Sequence, residues 1–93
     1  MARVEFSKAA VQDLDRLILS HSLPADTRTR VKKSLRHLET FPLLGPELHG
    51  RWAGLRFILG PWRWMILVYV HLPDEERVVI VTIQDGRSSA FAT

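Results

Sequence analysis

Arg63 stands between two tryptophans at the head of an otherwise apolar run, WRWMILVYV, from Trp62 to Val70. A guanidinium buried without a partner is costly. This arginine must therefore be paired, or lie where its strand opens onto water or a ligand. It belongs to a basic middle of the chain. From Arg16 to Arg63 there are nine basic residues against three acidic ones, a balance that attracts polyphosphate or an acidic protein surface. Charge alone is equally satisfied by a solvated helix face. His49 and Asp85 are groups able to move protons, although nothing in the sequence sets either beside Arg63. The four histidines are scattered without metal-ligand spacing, so neither a metal nor another cofactor is expected.

The elements that must position these side chains follow from periodicity. RVEFS alternates, with Val4 and Phe6 on one side, and reads as a short strand. Ser7 suits the N-cap of the next helix, in which Ala10, Leu14, Leu17 and Ile18 recur at helical spacing. Pro24 is suited to a first helical turn, with Asp26 near that helix's N-terminus. The second helix carries Val31, Leu35 and Leu38 on one stripe, with Arg28, Arg30, Lys32, Lys33 and Arg36 over much of the remainder. After a Pro- and Gly-rich loop come three strands, LRFIL, WRWMILVYVH and RVVIVTIQDG, joined by short polar turns. The expected fold class is α+β. An N-terminal strand, two antiparallel helices and three antiparallel strands place both helices on one face of a four-stranded sheet.

Alternation through the middle strand sets Trp62, Trp64, Ile66, Val68 and Val70 on one face, assigned here to the helices. Arg63, Met65, Leu67, Tyr69 and His71 then share the other. Leu55, Phe57 and Leu59 match the covered face of the preceding strand, which leaves Arg56 with Ile58 opposite. Val79, Val81 and Ile83 supply the core from the last strand. Arg56 and Arg63 would thus project together from a bare sheet face. Met65 and Leu67 would expose apolar surface beside them, as partner-binding faces do.

Ninety-three residues hold one modest core and one domain, 1–93. The absence of cysteine excludes disulfides and thiolate zinc sites and is compatible with a reducing compartment. MARVEFSKAA has charges where the apolar stretch of a secretory signal would sit. The apolar run Trp64–Val70 is far too short to cross a bilayer. A cytoplasmic protein without membrane contact is the expectation.

Taken in order, VEFSKAAVQDLDRL, a basic helical pair, FPLLGPELHGRWAG, LRFILGPWRWMILVYV and a last strand ending VTIQDGR resemble the RelE/ParE superfamily. These are the toxins of type II toxin–antitoxin modules, and the resemblance implies a RelE-like fold over the whole chain. Toxins similar to RelE cleave messenger RNA on the ribosome. The resemblance places Arg63 at their phosphate-binding arginine, Arg56 near a basic residue of the preceding strand, and Arg87 near their C-terminal arginine. Fixed guanidinium groups stabilise the phosphate charge that grows as the RNA's 2′-hydroxyl attacks, which makes these three the catalytic candidates. Arg51, Lys32, Lys33 and Arg36 are candidates for RNA contact. Met65 and Leu67 are candidates for binding a cognate antitoxin. The ribosome and messenger RNA are then the partners, in a metal-independent endoribonuclease that inhibits translation. Phe91 stands where RelE-like toxins carry a tyrosine or histidine. The alternative is a toxin similar to ParE, which inhibits DNA gyrase without an active site of its own.

Overall fold

The computed structural model describes residues 1–87. Strand β1 (Arg3–Phe6) passes directly into α1 (Lys8–Ser20); α2 (Thr27–Ser34) and α3 (Arg36–Thr40) follow, then β2 (Arg56–Leu59), β3 (Met65–Leu72) and β4 (Arg77–Asp85). The sheet order is β1-β4-β3-β2. β1 runs parallel to β4, and the remaining neighbours are antiparallel. No helix among the described residues is long and apolar enough to cross a membrane.

The helical layer forms as its apolar spacing requires. The Ser7 hydroxyl accepts the Ala10 N–H at 3.0 Å, capping α1, and donates to the Val81 carbonyl at 2.8 Å, tying that cap to β4. Ala10 and Leu14 are buried on α1, and Leu17 and Ile18 pack against them. Val31, Leu35 and Leu38 are buried across α2 and α3. The helix divides at Leu35, whose N–H reaches back three residues to Lys32 at 3.1 Å instead of four. Pro24 is not in the first turn of α2. Both the N–H and the hydroxyl of Thr27 donate to the Pro24 carbonyl, at 3.1 and 2.6 Å. That closes a separate turn, so α2 begins at Thr27 with Asp26 as its N-cap residue.

The sheet corrects the expected faces. The chain from Gly60 to Trp64 is a turn, closed by Gly60 N–H to the Met65 carbonyl (2.9 Å) and Met65 N–H to the Trp62 carbonyl (3.0 Å). Trp62 and Trp64 do pack toward the helices, but strand alternation starts only at Met65. Met65, Leu67 and Tyr69 are therefore the core residues of β3, all fully buried against Val78, Ile80 and Ile83 of β4 and against the helices. Ile66 and Val68 are also buried but lie outside that cluster, on the opposite face as the two-residue strand period requires. β4 departs from simple alternation as well. Val68 pairs with Thr82 and Tyr69 with Ile80, so Val81 is an extra residue and the strand changes phase there. This bulge brings Val78, Ile80 and Ile83 to one face in place of the expected Val79, Val81 and Ile83. On β2, Ile58 packs on the core, while Leu59 is 47% exposed.

Candidate functional site

The turn between β2 and β3 separates the two arginines expected to act together. Arg56 lies directly opposite Tyr69 and so on the helix side of β2. Its Nη1 donates to the Gly45 carbonyl at 2.7 Å and to the Leu43 carbonyl at 3.4 Å; its Nη2 meets Glu47 Oε1 at 3.0 Å. The buried Tyr69 hydroxyl accepts the Gly45 N–H at 3.0 Å. Burial raises the Tyr69 pKa, against the opposing pull of the Gly45 N–H and the Arg56 charge. Arg56 is thus the clasp of the loop between α3 and β2. Three residues of β2, about 10 Å at strand rise, separate it from the strand end that leads into the turn carrying Arg63. The expected pair of guanidinium groups on one bare face is not formed.

Arg63 is exposed on that turn, and its neighbours form a layered cluster. The His21 ring stacks on Trp64 at 4.6 Å between centroids and 14° between planes, and Trp62 lies 6.2 Å from Trp64 at 20°. The Arg87 guanidinium sits over Trp64 at 5.1 Å, and that of Arg30, from α2, over Trp62 at 5.9 Å. Asp85 joins the layers. It accepts from Arg87 through Nε at 3.0 Å and Nη2 at 2.9 Å, and its Oδ2 faces His21 Nε2 at 3.1 Å. Gly86 N–H donates to the Trp64 carbonyl at 2.6 Å, fastening the end of β4 to the turn. Arg63 and Arg87 are therefore brought to the same end of the sheet.

Arg87 holds the Asp85 carboxyl far below the usual carboxylate range, helped by the Arg87 backbone N–H and by His21 and opposed by burial. A carboxyl depressed in the folded state stabilises it fully above its ordinary value near 4, and that contribution is lost as pH falls through the acid range. Asp85→Asn is therefore expected to lower the melting temperature at pH 6 and to flatten its decline between pH 5 and pH 2. Melting curves across that range provide the check, and parallel acid limbs for the two proteins would contradict the assignment.

The other sequence candidates are dispersed. Arg51 is exposed on the 3₁₀ turn Gly50–Trp52, with its guanidinium over Trp52 at 5.8 Å. Lys32, Lys33 and Arg36 are exposed along α2 and α3. Lys32 borders a hollow of about 250 Å³ with Val4, Phe6, Leu35 and Glu39. Met65 and Leu67 have no exposed surface and so cannot form the open antitoxin-binding patch expected of them. The exposed apolar side chains nearest that description are Phe41, Leu43 and Leu44, at 60, 58 and 55%. Phe91 lies outside the described residues. Sequence reasoning missed His21 and Arg30 as members of a cluster and took Trp62 and Trp64 only as core. The available signal was Gly60–Pro61, a pair that marks a chain still turning when it reaches Arg63.

A family model described as the ParE toxin of the type II toxin–antitoxin system parDE matches residues 4–89. The chain belongs to this family, and is a toxin of a type II toxin–antitoxin system of the RelE/ParE superfamily. The fold is shared with solved toxins at low identity. The toxin–antitoxin complex RelBE2 from Mycobacterium tuberculosis matches with a TM-score of 0.68 and 24% identity, over 90% of this chain and 96% of that one. The isolated Escherichia coli RelE toxin matches with a TM-score of 0.68 and 18% identity, over 99 and 93%. A metal-bound toxin from Helicobacter pylori gives 0.66 and 21%, over 91 and 94%. No curated protein matches the sequence significantly.

Proposed function

We propose that this toxin acts by binding a protein target, DNA gyrase, and is held inactive by a cognate antitoxin protein. The match of the ParE toxin model along residues 4–89 carries this reading. The arginine geometry agrees with it. The guanidinium of Arg56 is taken up by Glu47 and two backbone carbonyls, and Arg87 is bidentate to Asp85. A phosphate clamp needs donors whose charge is free to meet the charge developing on phosphate, and these two are already matched. The test is a supercoiling assay with the purified chain. Inhibition near stoichiometric toxin, relieved by antitoxin, is expected; unchanged supercoiling at large excess removes the gyrase reading.

Messenger RNA cleavage is the second reading, favoured by one observation. His21, oriented by Asp85 through Nε2 and reached by the Ser20 hydroxyl at Nδ1 (2.8 Å), is a group able to move a proton. It lies in the same cluster as Arg87, beside the turn that carries Arg63. In this reading Arg63 and Arg87 bind phosphate on the ribosome, and Arg51, Lys32, Lys33 and Arg36 contact RNA. New transcript 5′ ends within codons after induction, with plasmid topology unchanged, would select it.

A further inference from the structure

We propose that Arg63, displayed on the turn between β2 and β3, is the central contact for an acidic protein surface on the toxin's target. The stack of Trp62, Trp64 and His21 packs the turn on either side of it. This names the contact surface within the protein-binding reading above and rests on that reading.

The first argument is the state of the three arginines gathered there. Arg30 is committed to Asp26 at 3.0 Å and to Trp62. Arg87 is committed to Asp85 and Trp64. Arg63 is exposed and, among the described residues, has no carboxylate, carbonyl or ring partner. Its planar fork is therefore available for a bidentate carboxylate from outside.

The second is rigidity. The turn is closed by two hydrogen bonds to Met65 and fastened to β4 by the Gly86 N–H. The residues on both sides of Arg63 are packed rings. A side chain presented from a backbone already ordered loses less freedom on binding.

The third separates a protein from a nucleic acid. A base needs an open aromatic face to stack on, but Trp64 already carries His21 and Arg87, and Trp62 carries Arg30. Partly buried tryptophans around one exposed arginine, with neighbouring charges already paired, make the composition of a protein–protein hot spot.

The test uses the full chain released from its antitoxin, as wild type, Arg63→Glu and Arg63→Lys. Binding to gyrase, binding to antitoxin, thermal melting and growth arrest are measured for each. Arg63→Glu is expected to weaken gyrase binding at least about tenfold, with Arg63→Lys intermediate and with melting and antitoxin binding unchanged. Wild-type gyrase affinity in Arg63→Glu overturns the contact while leaving the gyrase reading in place. If the wild-type chain does not bind gyrase, that reading fails, and growth arrest then judges the contact. Arrest that persists in Arg63→Glu overturns it. So does arrest lost together with transcript cleavage, which assigns Arg63 to RNA. Arrest lost with no cleavage in either protein supports a contact to another protein target.

Discussion

Gly45→Ala is expected to destabilise the folded chain by about 3 kcal/mol, the upper range for inserting a methyl group where nothing can yield. A Cβ at Gly45 would lie 2.1 Å from the Phe57 carbonyl oxygen and 2.8 Å from its carbon, and 3.1 Å from Ile58 Cγ2. The obstacle is β2 backbone, which cannot rotate aside as a side chain would. It is itself held to the loop by Phe57 N–H donating to the Pro46 carbonyl at 3.2 Å. Moving Gly45 away instead would stretch its N–H from the Tyr69 hydroxyl and its carbonyl from Arg56, at 3.0 and 2.7 Å. Each escape therefore sacrifices hydrogen bonds of partly or fully buried groups. Urea unfolding monitored by tryptophan fluorescence measures the effect. A midpoint equal to wild type would mean that the loop is not pinned to β2 in solution.

Leu67→Ala is expected to cost about 3 kcal/mol for the same kind of reason with the opposite sign of volume. Leu67 has no exposed surface and sits in the main core cluster opposite Ile83. Truncation removes its transfer free energy and leaves a cavity that rigid neighbours fill only partly. Core and surface placements of this residue lead to different results. A core leucine lowers the unfolding midpoint and leaves antitoxin affinity, expressed per folded molecule, unchanged. A surface leucine lowers that affinity at wild-type stability. The buried position predicts the first outcome, and observing the second would return Leu67 to the partner surface.

The arginine that sequence and structure both single out stands in a different place from the one alternation gave it. Arg63 is exposed, as an unpaired guanidinium in an apolar run must be. The turn, not a sheet face, exposes it. A turn residue projects beyond the end of the sheet, whereas a sheet-face residue beside Arg56 would have shared one surface with it. Arg56 instead stabilises the loop whose exposed Phe41, Leu43 and Leu44 side chains it helps to fix.

The order of elements, the inward stripes of both helical segments and the Ser7 cap follow from the chain alone. Each rests on local physics: a 3.6-residue period, a hydroxyl placed to accept an orphan N–H, a two-residue period in RVEF. So does the kinship with the toxin family, whose pattern runs through the chain in order. The tertiary structure alone decided which face of β3 meets the helices. Met65, Leu67 and Tyr69 are as apolar as Ile66, Val68 and Val70, so alternation offers two equivalent phases and no preference between them. Two interruptions of the alternation broke the tie. The turn at Pro61–Trp64 reset the count before the strand began, and the extra residue Val81 reset it again within β4. The cluster of His21, Trp64, Asp85 and Arg87 was hidden for a related reason. Its members come from three distant stretches of the chain, and only closing β4 against the end of α1 brings them together.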